Sequence, residues 1–304
     1  MYLQHFGLNE LPFTLTPNTH FFLNMASHHE AYNMLMVSIK NGEGFMKVVG
    51  EVGTGKTILC RKMLNTLSED EAHFDTAFIP NPVLSPMGLF LAFAEELGIA
   101  VTSDIDHHSL LKAITTRLAD RAAQGRKVVL FIDEAHAMPE QTLEALRLLT
   151  NIETEQAKLL QVVLLAQPEI DVILNKLTLR QLRQRITFSF NLSALDKEGV
   201  ERYVSHRIAM AGHNGHSLFD KRALDLLVAV SRGVPRLVNI IAHKSLMAAF
   251  GRGDRVVTPA HIEAAVIDTE GVDMPPKSYA PLVAAVAVLV VGLTAAFFLS
   301  ESMQ

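Results

Sequence analysis

Gly50-Glu51-Val52-Gly53-Thr54-Gly55-Lys56-Thr57 is the stretch from which the rest of the chain can be read. It fits the pattern G-x-x-x-x-G-K-[ST], with an apolar run (FMKVVG, residues 45–50) before it and apolar residues at helical spacing (58–67) after it. Strand, glycine loop and helix in that order make a phosphate cradle. Glycine lets the backbone wrap closely, so successive N–H groups and the N-terminus of the following helix point at phosphate oxygens. Gly50, Glu51, Val52, Gly53, Thr54 and Gly55 would then enclose the phosphates. Lys56 would reach the β- and γ-phosphates, and the Thr57 hydroxyl would ligate Mg²⁺. The cofactors implied are ATP and Mg²⁺.

Downstream, Val128-Val129-Leu130-Phe131-Ile132-Asp133-Glu134 reads as an apolar strand ending in two carboxylates. After a phosphate loop, such a pair is expected to divide the work: Asp133 holds the Mg²⁺ site and Glu134 polarises the attacking water. A protein that only binds nucleotide has no need of Glu134, so its presence favours hydrolysis. Asp133-Glu134-Ala135-His136 also spells the DEAH tetrad of one helicase class, but without further helicase motifs His136 reads as a helix-start residue.

Five strands are expected, at 45–50, 75–80, 127–132, 161–166 and 187–192, alternating with helices that include 86–97, 109–124 and 139–155. Runs such as VVLFI and VVLLA, apolar without alternation, suit parallel strands covered on both faces. The expected class is therefore α/β, an αβα sandwich about a five-stranded parallel sheet. After Ala194 only helices are expected, at 196–212, 220–232, 235–250 and 259–268. The domain division is a nucleotide-binding domain at 1–193, a helical lid at 194–270 and a linker at 271–279.

With 304 residues, 49% of them hydrophobic, the chain can bury a substantial core. A balance of 27 Lys+Arg against 32 Asp+Glu gives a net charge of -5, which supplies no general attraction for nucleic acid. The single cysteine, Cys60, falls in an apolar helical run and reads as a core residue. The histidines are scattered without metal-ligand spacing. The first thirteen residues carry no secretory signal. Residues 280–299 (APLVAAVAVLVVGLTAAFFL) contain no charge, and a helix of that length spans about 30 Å, one hydrocarbon core. A transmembrane helix is expected there. Lys277 precedes it, Arg252 and Arg255 stand further back, and no Lys or Arg follows, which places the body in the cytoplasm.

Several further stretches make a resemblance specific: FGLNELPFTLTPNTHFF (6–22), His29-Glu30-Ala31, FIDEAH (131–136), Ala166-Gln167-Pro168-Glu169, LRQLRQRI (179–186) and GVPRLVN (233–239). With the phosphate loop, and over residues 1–268, they resemble the ATPase domain of the ExeA/GspA secretion proteins. Length and the short tail after one apolar segment look closest to the members serving mannose-sensitive haemagglutinin pilus biogenesis. The resemblance implies an AAA+ fold, ATP hydrolysis and homo-oligomers. It also implies a bacterial inner-membrane location with one membrane pass, and partners among the proteins that assemble a type IV pilus or a secretion apparatus. It places Gln167 where a sensor-1 side chain would meet the γ-phosphate or the water, and Arg236 where a sensor-2 arginine of the lid would touch nucleotide. Arg180, Arg183 and Arg185 are candidates for an arginine acting on a neighbouring subunit, with Arg185 favoured. Phe6, Pro12, Phe13 and Phe22 would pack around the adenine, and Arg202, Tyr203 and His206 are candidates for a partner surface. The alternatives are a DNA-binding regulatory ATPase of the transposition-helper type and a nucleotide-dependent scaffold.

Overall fold

The computed structural model describes residues 2–16, 19–21, 23, 25–102, 105–153 and 158–275. The apolar stretch 280–299 and Phe22 lie outside them. Among the described residues no helix is long and apolar enough to cross a membrane.

Two short pieces precede the sheet: α1 (Tyr2–Phe6) and α2 (Ala26–Lys40). The α/β part then runs β1 (Phe45–Gly50), α3 (Lys56–Ser68), β2 (Phe74–Ile79), α4 (Pro86–Glu96), α5 (His107–Ala123), β3 (Lys127–Ile132), α6 (Glu140–Leu149), β4 (Leu160–Ala166), α7 (Glu169–Leu174), α8 (Arg180–Arg185) and β5 (Phe188–Leu192). The five strands form one parallel sheet in the order β2-β3-β4-β1-β5. All six residues of β1 and all seven of β4 are buried, as strands covered on both faces require. One face packs on Phe90, Phe93, Ile114 and Leu146 from α4, α5 and α6. The other packs on Leu35, Ile39, Leu59 and Met63 from α2 and α3. Burying each such side chain contributes about 1.5–3 kcal/mol, so the two layers hold the sheet rigid.

Four helices follow: α9 (Lys197–Met210), α10 (Lys221–Ser231), α11 (Pro235–Arg252) and α12 (Pro259–Ile267). Asp196 and Asp220 cap α9 and α10, each accepting from a backbone N–H of the first turn. The helices enclose a core of their own, and Phe6, Leu8, Phe13 and Phe21 from the start of the chain pack into it. The N-terminal segment therefore leaves α1 against the helical part, runs past the cleft and enters α2 under the sheet.

One expectation changes here, and one helix is added. The helix expected over 139–155 ends at Leu149, because Thr150 caps it and Glu153 pairs as an isolated antiparallel bridge with Lys158. α2 was not foreseen, although Ala31, Leu35 and Ile39, all buried, recur four apart along it.

Candidate functional site

In a parallel sheet the carboxyl ends of the strands carry the ligand crevice. Here the phosphate loop follows β1, Asp133 and Glu134 follow β3, and Gln167 follows β4, so adjacent strands bring all three groups to one edge. The helical part closes over that edge. Between them lies a cleft of about 320 Å³, within the range of small-molecule sites. Val52, Gly53, Thr54, Gly55, Lys56, Thr57 and Glu134 form its floor. Its walls are Thr14, Leu15, Thr16, Phe21, Met25 and His28 from the N-terminal segment, and Tyr203, Arg207, Arg236 and Asn239 from the helical part.

The loop is built for close approach. Gly53 and Gly55 have φ of +80° and +100°, a region that side chains rarely adopt. A Cβ on Gly53 would stand 2.5 Å from the Arg236 Cβ, and one on Gly55 2.7 Å from His28 Nε2. Lys56 opens α3 and is buried, its ammonium donating to the carbonyls of Gly50 at 2.7 Å and Glu51 at 3.0 Å. Burial pushes its pKa down, while Glu134, Asp133, Glu51 and Glu169 oppose that shift. The Thr57 hydroxyl donates to Asp133 Oδ2 at 2.7 Å. Burial pushes the Asp133 carboxyl up, against that bond and one from the Glu134 N–H. A cation there would offset the cost of burying this carboxylate.

These residues fit a nucleoside triphosphate with a hard divalent cation. The glycines form a cradle that side chains would fill, and a lysine stands at the N-terminus of a thirteen-residue helix. The paired oxygens of Thr57 and Asp133 suit Mg²⁺, which binds through few protein oxygens and keeps several waters.

Gln167 lies beside Glu134 and His136. Its Nε2 donates to Glu134 Oε2 at 3.1 Å and meets His136 Nε2 at 2.9 Å. His136 sits in a short 3-10 turn, Ala135–Ala137, with its side chain in this cluster. It thus stands at a helix start, as expected, and adds a contact that the sequence reading did not give it. Glu134 itself has φ +52°, a left-handed backbone that costs a glutamate about 1–3 kcal/mol.

Arg236 lines the cleft, and its backbone N–H donates to the Gly53 carbonyl at 3.2 Å. Arg180, Arg183 and Arg185 lie away from the chain's own cleft, on α8. Arg180 and Arg183 are exposed, while Arg185 is half-buried and donates to Thr150 Oγ1 at 3.1 Å. Phe6 and Phe13 do not reach the cleft. They are buried in the core of the helical part, because a phenyl ring gains more there than at a wet rim. Of the aromatic residues at the start of the chain, Phe21 lines it instead. Tyr203, a candidate for a partner surface on a helix read as solvated, faces the cleft as well.

Among the lining residues that had not been read from the sequence are His28, Arg207 and Asn239. His28, on the first turn of α2, is buried, and its Nε2 bonds the Thr54 carbonyl at 2.8 Å, pinning the phosphate loop. Arg207 is 5% exposed; its Nε donates to the Pro12 carbonyl at 2.6 Å and its Nη1 to the Tyr203 hydroxyl and Asn239 Oδ1. Its guanidinium also lies over the rings of Phe21 and Tyr203, 4.9 and 5.4 Å from their centroids. Asn239 completes the wall. The spacing of Tyr203 and Arg207, four apart on α9, was the available signal.

Residues 39–174 match the AAA domain family. General secretion pathway protein A of Aeromonas hydrophila is 38% identical over 272 residues, covering 90% of this chain. The chain spans 49% of that relative's length. Among solved structures, Cdc6p of Pyrobaculum aerophilum superposes with a TM-score of 0.67 at 18% identity, covering 82% of this chain and 70% of its own. The ORC2 protein of Aeropyrum pernix gives 0.62 at 14% identity, over 86% and 73% of the two chains. Drosophila ORC bound to DNA gives 0.66 at 20%, over 88% and 65%. At such identities the likeness is one of fold. Residues 39–174 thus carry an AAA domain, and the chain is similar over 90% of its length to General secretion pathway protein A.

Proposed function

We propose that this protein binds ATP with Mg²⁺ in the cleft between sheet and lid and hydrolyses it, as a membrane-tethered ATPase serving assembly of a type IV pilus or a secretion apparatus. The observation that carries the ATPase reading is the convergence of Lys56, Thr57, Asp133, Glu134 and Gln167 on one edge of the sheet, with Arg236 of the lid opposite. Support for the setting comes from the likeness to a general secretion pathway protein and from the apolar stretch 280–299. In this reading the domain at 1–193 carries the catalytic loop, the lid at 194–270 closes on the nucleotide, and the body lies on the cytoplasmic side of a bacterial inner membrane.

Bound ATP would supply the phosphoanhydride to be cleaved, and Mg²⁺ would neutralise charge on it. The chain's own groups do the rest. The N–H groups of residues 50–57 and Lys56 bind phosphate oxygens, and Thr57 and Asp133 hold the cation. Glu134 accepts a proton from the attacking water, and Arg236 senses nucleotide from the lid. Gln167 orders the water side of the site. Arg185, with Arg180 and Arg183 as the alternatives, would reach the cleft of a neighbouring copy in a homo-oligomer.

The test is phosphate release by the 304-residue chain across a protein concentration series, with Lys56→Ala beside it. Turnover that rises more than linearly with concentration and is absent in Lys56→Ala supports the reading. Equal rates in both proteins would overturn it, and strict linearity would remove the shared site from it.

A further inference from the structure

We infer that His136 is a positioning residue for hydrolysis, acting through Gln167 on Glu134. This rests on the reading of the cleft as an ATPase site. A carboxylate only accepts hydrogen bonds, so the end of the Gln167 amide that meets Glu134 Oε2 at 3.1 Å is its NH₂ group. That same nitrogen lies 2.9 Å from His136 Nε2. The Gln167 backbone N–H also approaches His136 Nδ1, at 3.4 Å, but a neutral imidazole accepts at one nitrogen only. With the NH₂ end of the amide fixed by Glu134, the shorter 2.9 Å contact makes Nε2 the acceptor and puts the ring proton on Nδ1. The two N–H bonds of Gln167 are thereby divided, one to Glu134 and one to His136.

The consequence is orientation. Held between two acceptors, the amide plane cannot turn, and Oε2 of Glu134 stays engaged while its other oxygen remains for the water. His136 Nε2 is itself 3.5 Å from Glu134 Oε2, too far for a normal bond, so its hold on the glutamate runs through the amide. The side chain of His136 is 19% exposed and that of Glu134 44%, so the imidazole is the inner, fixed member and the carboxylate the outer one. The backbone adds to the constraint. Glu134 adopts φ +52° and the turn closes with the Ala137 N–H on its carbonyl at 2.8 Å, so its side chain leaves the strand end in a direction the amide must match.

The experiment measures kcat, KM and equilibrium nucleotide affinity for the 304-residue chain and for His136→Leu, His136→Gln, Gln167→Ala and the His136→Leu/Gln167→Ala double variant. Loosening a group placed this way is expected to lower kcat about ten- to a hundredfold. We expect His136→Leu to show that loss with ATP affinity within about twofold of wild type. His136→Gln, whose amide oxygen reaches the place of Nε2, is expected to recover most of it. The double variant is expected to be no slower than Gln167→Ala, since both changes break one path. Unchanged kcat in His136→Leu, a loss that multiplies in full with that of Gln167→Ala, or a fall in nucleotide affinity of the same size would each overturn the inference while leaving the ATPase reading intact. No turnover in the wild type would overturn both.

Discussion

The hydroxyl of Thr57 and the carboxylate of Asp133 meet at 2.7 Å, although they start from different elements, the first turn of α3 and the end of β3. The contact joins the phosphate loop to the neighbouring layer of the sheet and places two hard oxygen donors side by side. A cation would thus find its ligands held by the fold before it arrives.

Replacing Thr57 by valine keeps the volume and removes one donor. The Mg²⁺ concentration needed for half-maximal turnover is expected to rise about tenfold or more, with the unfolding midpoint nearly unchanged. A titration of rate against Mg²⁺ checks it. An unchanged Mg²⁺ requirement would show that Thr57 is no ligand.

Acid sensitivity should report on the pinned loop. Burial lowers the pKa of His28 below its ordinary 6.5, opposed in part by its bond to the Thr54 carbonyl. As pH falls through 6.5 the unfolded chain takes up a proton that the folded one refuses. Stability is lost over that interval and levels off below the lower folded value, where both states are protonated. His206 and His243 are lowered by burial too and act in the same direction. His28→Gln, which keeps a donor for Thr54, is expected to flatten part of this slope. Unfolding midpoints measured between about pH 5 and 7 decide it, and slopes equal to wild type would count against a buried neutral His28.

Arg207 ties the lid to the N-terminal segment. Arg207→Met fills similar space but takes the Arg207 donor from the Pro12 carbonyl and leaves Asn239 Oδ1 with the Tyr203 hydroxyl. The expected loss is about 1–3 kcal/mol of folding stability. Weaker nucleotide binding should accompany it, because Thr14, Leu15 and Thr16 form the cleft wall. Urea unfolding and nucleotide titration together check the pair of effects, and a stability change without any change in binding would limit Arg207 to the core.

The parts of the fold legible in the sequence were those fixed by local pattern. β1 is an apolar run broken by Lys47 alone and ending at Gly50, and β3 is apolar from Val128 until Asp133 stops it, so their ends could be placed to the residue. The lid helices open on Asp196, Asp220 and Pro235, residues suited to helix starts. The floor of the cleft follows from the same pattern, since a strand end and a helix start fix Lys56 and Thr57 together. What was not legible depends on distant pairing. Arg207 and Pro12 are 195 residues apart, and an arginine on a lid helix reads as solvated until the N-terminal segment folds over it. His28 looks like an ordinary surface histidine and His136 like a helix-start residue for the same reason, because the Thr54 carbonyl and the Gln167 amide reach them from other strands' loops.

The most direct measurement is steady-state ATP hydrolysis by the 304-residue chain with Mg²⁺, wild type beside Glu134→Gln, with nucleotide binding followed in both. The cleft as described predicts turnover in the wild type, its loss by about a hundredfold or more in Glu134→Gln, and undiminished binding of ATP by that variant. Equal rates in the two proteins would contradict it.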